Sequence, residues 1–226
     1  MKIDVCIVTK NNKMPKGLNN IPINKIIVSN KYPLGKAREE CISQVSTDWF
    51  AFIDDDIEIT EEWFKICELF IKDEVGAING TDYYKGLGVF DWVIFNGSLI
   101  PKEVKYNGRM NGNNVLIRTS TVKDWIARDN LSCYEDLVIG RHILNKGYKI
   151  ILTPALCYHL KNWASVKNSS IWAGKYFMQE QPEFNKYIYI IKKIFEPLKG
   201  LIHRGILFSI YATYRNFWLI YGILKK

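Results

Sequence analysis

The chain has no block of five or more basic residues, no internal repeat or low-complexity tract, and no cysteine rhythm of the kind that frames a zinc site or a disulfide set. The missing basic block excludes a nucleic-acid-binding tail, although the net charge is +8 and the pI about 9.1. The five cysteines (Cys6, Cys41, Cys67, Cys133, Cys157) are scattered, odd in number and mostly set in apolar segments, so buried reduced thiols and a cytosolic working face are expected. Met1-Lys2-Ile3-Asp4-Val5-Cys6 carries an acid inside its apolar run and lacks a cleavage-like site, so it does not read as a signal peptide. An uninterrupted bilayer-spanning run is also missing. Ile206–Leu224 has the length, but Arg215-Asn216 sits at its middle, and a central arginine costs roughly 2.5–3.5 kcal/mol on insertion. A helix lying in a membrane interface, or a helix pair packed on the domain or on a second copy of the chain, suits this aromatic and basic segment better. The 226 residues have an ordinary globular but aromatic-rich composition and the length of one domain with an appendage.

What is present is organised around FAFIDDDIEI, residues 50–59. The run from Trp49 to Ile53 is too short for a helix and reads as a strand buried on both faces of a sheet. It ends in Asp54-Asp55-Asp56, which places carboxylates at the C-terminal edge, where open α/β sheets bind ligands. On an extended chain Asp54 and Asp56 share one side and Asp55 takes the other. Three carboxylates this close repel one another unless a cation lies between them, and oxygen donors suit Mg²⁺ or Mn²⁺.

Around this stretch, strands and helices alternate. Ile3–Val8 reads as a first buried strand ending in Thr9-Lys10-Asn11-Asn12, residues 13–24 as a proline-broken loop, and Lys25–Val28 as a second strand. Gly35–Ser46 has a helical stripe of Ala37, Cys41 and Val45. Glu61–Lys72 follows the aspartates as a helix with Thr60 as its N-cap. Val75–Ile78 is a strand, residues 80–112 are loop-rich around an aromatic island that includes Asp91-Trp92, and Asn113–Ile117 is another strand. Arg118 is expected to pair with the Glu135 region. Glu135–Lys146 is a helix closed by Gly147, and Tyr148–Leu152 is a last strand ended by Pro154. Alternating βα units argue for a mostly parallel sheet.

Taken in order, the strand ending Thr9-Lys10-Asn11, Gly35-Lys36-Ala37-Arg38, Asp54-Asp55-Asp56, Asn114–Arg118, Glu135-Asp136, Pro154 and Tyr158-His159 resemble family 2 of the glycosyltransferases over roughly residues 1–160. Tyr211-Ala212-Thr213-Tyr214-Arg215-Asn216 looks like an aromatic-Arg-Asn stretch that some members carry. The resemblance implies an α/β GT-A fold, with a mostly parallel central sheet flanked by helices and an aromatic-rich C-terminal helical extension. It implies a catalytic domain over 1–185, with a nucleotide-binding half of about 1–80 and an acceptor half of about 81–160, and a helical tail over 186–226.

The implied activity is inverting, metal-dependent transfer of a sugar, of hexosyl type, from a nucleotide-diphosphate sugar to a hydroxyl on a glycan, lipid-linked or protein acceptor. It implies Asp136 as base and Glu135 as its helper. Thr9, Asn11, Lys36, Arg38, Asp54 and Asp55 fall on the donor side, and Asp56, Asp54 and His159 at an Mn²⁺ or Mg²⁺ ion. The setting is cytoplasmic, with peripheral membrane contact through the tail and a second copy of the chain as a further partner. Two departures stand out: the first connection lacks a full helix, and Ser29-Asn30 replaces the usual acid after the second strand. The rival readings are a haloacid-dehalogenase-like phosphatase, for which FIDDDIEIT also looks right, and a non-catalytic membrane-surface protein.

Overall fold

The computed structural model describes residues 1–91, 101–104, 110–180 and 185–225. Their strands are β1 (Ile3–Val8), β2 (Ile23–Ser29), β3 (Trp49–Ile53), β4 (Ile57–Ile59), β5 (Val75–Lys85), β6 (Lys102–Glu103), β7 (Asn114–Arg118) and β8 (Lys149–Leu160). The helices are α1 (Leu34–Gln44), α2 (Trp63–Glu68), α3 (Thr119–Val122), α4 (Glu135–Asn145), α5 (Trp163–Glu180), α6 (Lys186–Arg204) and α7 (Ile206–Leu224). Contacts among the described residues group those within 1–83 and 94–160 into one compact unit, and those within 84–93 and 161–226 into a second.

In the first unit one sheet runs β2-β1-β3-β7-β5-β8-β4, with β6 also pairing β8. The sheet is mixed. β1 pairs parallel with β2 and β3, as alternating βα units require, whereas β7 pairs antiparallel with both β3 and β5, and β8 antiparallel with β4 and β6. The expectation of a mostly parallel sheet therefore applies only to the first three strands in chain order, because beyond them the connections no longer alternate helix with strand. β3 is buried along its whole length, and successive side chains feed opposite cores. Phe50 and Phe52 join Cys6, Ile117 and Ile150 on one face, while Trp49, Ala51 and Ile53 join Val5, Ile78 and Leu116 on the other. Burial of each such large side chain is worth about 1.5–3 kcal/mol, so the strand that delivers the aspartates is among the most firmly held.

Three local readings differ from the structure. Thr60 does not cap α2: its hydroxyl donates to the Leu156 carbonyl (2.5 Å), and Glu62 occupies the cap position without a side-chain bond. The predicted 61–72 helix shortens to Trp63–Glu68. The last strand does not stop at Pro154 but continues to Leu160. On one side β8 pairs with β6 at Ile151 and Leu152, then with β4 from Cys157 to His159, and Pro154 falls between those partners, where no N–H is needed. All five cysteines are buried as expected, and none is in a disulfide.

In the second unit α5 and α6 both pack on α7. Gly174 and Gly222 permit the close approach of α5 and α7. A Cβ on Gly174 would lie 2.2 Å from the Leu219 carbonyl oxygen, and one on Gly222 would lie 2.2 Å from that of Ile171.

Candidate active site

The candidate site lies where β1 and β3 end and β7 begins. Register places Ile53 opposite Asn114, and the Asp54 amide donates to the Asn113 carbonyl (3.0 Å), so the aspartates continue the pairing by one residue and then turn. Thr9, just past β1, is buried, and its hydroxyl donates to Asp55 Oδ2 (2.6 Å) while accepting from the amides of Asn11 and Lys13. Asn11 itself is exposed. The strict alternation expected of an extended chain does not hold, because the chain turns at Asp55-Asp56, closed by the Ile57 amide on the Asp54 carbonyl (3.1 Å): Asp55 goes toward Thr9, Asp54 toward α1 and Asp56 toward β8.

Asp54 accepts a 2.7 Å hydrogen bond from Nη2 of Arg38, a fully enclosed guanidinium on α1 that also lies 3.6 Å from Glu135 Oε1 and stacks over the Phe52 ring. Arg38 thus joins the end of β3 to the start of α4. Burial alone would lower its pKa, but the charges of Asp54 and Glu135 overcome this and hold it above the ordinary arginine value. Asp54 is raised from its usual carboxylate value, chiefly by desolvation, with the Asp56 charge adding to the shift and Arg38 opposing it. Arg38 Nη1 is buried and has no hydrogen-bond partner among the described residues.

Glu135 and Asp136 open α4 and are both buried. Tyr134 before them takes a left-handed conformation (φ 61°), costly for an aromatic residue and of the kind found where a site fixes its geometry. Asp136 Oδ1 accepts from the Leu137 amide (2.8 Å). Gly112 packs directly on this pair: a Cβ there would sit 3.0 Å from that of Asp136 and 3.4 Å from Glu135 Oε1. Asp54, Arg38, Gly112, Glu135 and Asp136 therefore form one contiguous cluster. The pairing of Glu135 with Arg118 does not occur. Arg118 donates instead to the Val75 and Lys72 carbonyls and stacks over Trp49, because β7 carries it to the far end of the strand from the aspartates. Lys36 lies on the outer face of α1, paired with Glu39 and Asp129. Asp91, in the second unit, anchors a turn by accepting from the Gly86 and Leu87 amides, and Trp92 lies outside the described residues.

His159, opposite Ile57 in the β4–β8 register, has Nε2 3.1 Å from Asp56 Oδ1 and Nδ1 2.8 Å from Asp82 Oδ2. Asp82 is wholly buried on β5 and also accepts from the side-chain amides of Asn111 (3.3 Å) and Asn113 (3.1 Å). Sequence reading missed Asp82 because residues past Ile78 read as loop; the signal was an acid two residues beyond glycine, flanked by Thr81 and Tyr83 in what is still strand. His159 Nδ1 also lies 2.9 Å from the side-chain nitrogen of Asn113, so Asp82 and Asn113 together fix the ring with Nε2 turned toward the Asp56 carboxylate. The Asp56 carboxylate and the His159 imidazole are donors of the types that would suit a divalent ion such as Mn²⁺ or Mg²⁺. Among the described residues no group of three or more His, Cys, Asp or Glu is arranged to hold such an ion alone.

Known proteins bear on this arrangement. The crystal structure of A197 from STIV superposes with a TM-score of 0.51 at 17% identity, covering 72% of this chain and 87% of that one. The S. aureus TarS 1-349 structure in complex with UDP superposes at 0.50 and 14% identity, covering 99% and 89%. At these identities the likeness shows the fold, which is the GT-A type. No curated protein matches the chain by sequence. The family model described as "Glycosyl transferase family 2" matches residues 10–122, half of the chain, which takes in Arg38, the three aspartates, Asp82 and Gly112. The chain belongs to glycosyl transferase family 2.

Proposed function

We propose that the chain is an inverting, metal-dependent transferase that moves a sugar of hexosyl type from a nucleotide-diphosphate donor to a hydroxyl acceptor. The observation that carries this reading is the Arg38 bridge between Asp54 and Glu135, which sets the acids of β3 beside those of α4. On the donor side Thr9 and Asn11 flank Asp55, Asp54 meets the ribose, and Arg38 supplies positive charge beside it; Lys36, expected there too, is instead held by Glu39 and Asp129 on the outer face of α1. Asp56 and His159, with Asp54 beside them, hold Mn²⁺ or Mg²⁺, which when bound neutralises charge on the departing diphosphate.

Asp136 accepts the proton of the acceptor hydroxyl as its oxygen attacks the anomeric carbon. The bond from that carbon to the diphosphate oxygen breaks, the nucleoside diphosphate leaves with the electron pair, and the single displacement inverts the centre. Glu135, fixed on Arg38, orients acceptor or leaving group. The acceptor is a glycan, lipid-linked or protein hydroxyl, reached at the cytoplasmic side with a peripheral membrane contact through the C-terminal segment.

Purified chain incubated with Mn²⁺ and a panel of nucleotide sugars, alongside a simple aryl phosphate ester, tests this. Mn²⁺-dependent release of nucleoside diphosphate from one donor is expected. Hydrolysis of the ester with none of the sugar nucleotides would overturn the reading.

A further inference from the structure

Helix α6 is amphipathic in the wrong direction for a water-soluble hairpin. On α6, Tyr189, Lys193, Glu196 and Gly200 recur at helical spacing, and this largely polar stripe faces α7. Glu196 Oε1 accepts from Arg215 Nη2 (3.0 Å), Glu196 Oε2 accepts from Lys193 Nζ (2.6 Å), and Asn216 Nδ2 donates to the Lys193 carbonyl (2.9 Å) and to Glu196 (3.1 Å). Gly200 takes the Phe208 ring, which a Cβ would approach to 2.5 Å.

At about 100° per residue, Ile188, Ile191, Phe195, Leu198 and Ile202 form a second stripe centred about 150° from the first. These five are 53–79% exposed. Exposed Lys192 and Lys199 run along one margin of this apolar face. On α7, Ile206, Ile210, Phe217 and Leu224 repeat the pattern at 49–65% exposure. The central Arg215, which argues against a spanning helix, is thus spent inside the hairpin, and its pKa is held up by Glu196 against the effect of burial. No described helix is long and apolar enough to cross a membrane.

Charge follows the same division. Residues 161–226 contain 11 Lys and Arg against 3 Asp and Glu, leaving 20 of each in residues 1–160, so the whole +8 excess lies beyond Leu160. An apolar face bordered by lysines, on a segment holding all the excess positive charge, is complementary to an anionic lipid surface. A second copy would bring like charge against like.

We infer that the outward stripe of α6, assisted by α7, docks on the surface of a bilayer containing anionic phospholipid, with the apolar side chains at the acyl boundary and Lys192 and Lys199 among the headgroups. The inference specifies the membrane contact in the proposed function but rests on none of its chemistry.

The test is co-sedimentation of the full chain with vesicles of pure phosphatidylcholine or of phosphatidylcholine with about 30% phosphatidylglycerol. Binding to the mixed vesicles only is expected, falling at least tenfold in about 0.5 M salt. Phe195→Gln with Leu198→Gln should lower it at least tenfold while leaving circular dichroism and Mn²⁺-dependent donor hydrolysis unchanged, since both side chains are exposed. Asp136→Asn should bind vesicles like the parent, which separates failure of docking from failure of the catalytic assignment. The inference is overturned if the chain stays in solution with both vesicle types or if the double variant still binds. It is equally overturned if sedimentation velocity shows a dimer that the double variant abolishes, or if the chain binds duplex DNA through these helices instead.

Discussion

Arg38 is the residue on which the geometry of the site most depends. A buried guanidinium shared by Asp54 and Glu135 leaves two carboxylates uncompensated when removed, and breaking such a pair from one side costs about 3–5 kcal/mol. Arg38→Met is therefore expected to lose stability of that order in urea unfolding, and an effect within experimental error would show that the bridge is not formed. Asp4 offers a pH-dependent counterpart. It is buried, and although desolvation would raise its pKa, hydrogen bonds from the Ser46 amide, Asn24 and the Ser46 hydroxyl, with the charge of Lys25, hold it below the ordinary 3.8. A carboxyl lowered by folding contributes stability that is full above its unfolded value and is lost as pH falls through the folded one. Asp4→Asn should thus be less stable than the parent by about 1–3 kcal/mol near pH 7, with the gap closing below pH 4, the region of its ordinary value of 3.8.

Asp82→Asn weakens the orientation of His159 and should reduce Mn²⁺-dependent nucleotide binding about 10–100-fold by calorimetry; unchanged affinity would remove Asp82 from the site. Of these residues, Asp54, Asp56, Glu135, Asp136 and His159 stand out in the sequence because acids and a histidine punctuate apolar runs. Asp82 does not, since one acid in a stretch that reads as loop carries no signal until β5 is seen to extend to Lys85. The partner of Glu135 was illegible for another reason: Arg118 and Arg38 are equally plausible by type, and only the antiparallel run of β7 carries Arg118 to the wrong end.

At the scale of elements, prolines and their compensations explain where pattern reading stopped short. Pro154 ends a strand on local rules, yet β8 continues because the changeover from β6 to β4 leaves its missing N–H unneeded. Pro197 sits inside α6 and cannot donate to the carbonyl four residues back. That carbonyl belongs to Lys193, and Asn216 of α7 supplies the donor instead. Asn216→Leu should therefore uncouple the hairpin by about 1–3 kcal/mol, read as lost helicity and a lowered thermal midpoint, with no change in donor hydrolysis; full stability would refute this compensation. βα alternation made the parallel half of the sheet legible. The antiparallel half was not, because β3 turns directly into β4 and β5 reaches β7 across residues that carry no helical period, so α2 and α4 alone do not set the strand directions.

Across the whole molecule, two charge patterns organise the account: acids gathered at one sheet edge of an electrically balanced first 160 residues, and positive charge confined to a segment whose apolar side chains face outward. The first pattern is the chemistry, and it divides between donor and acceptor sides. The most direct measurement is a paired one on Asp56→Asn and Asp136→Asn, comparing Mn²⁺-dependent nucleotide binding with turnover of the donor found active. Loss of turnover in both is predicted, with binding lost in Asp56→Asn and retained in Asp136→Asn; full turnover in either variant would contradict the assignment.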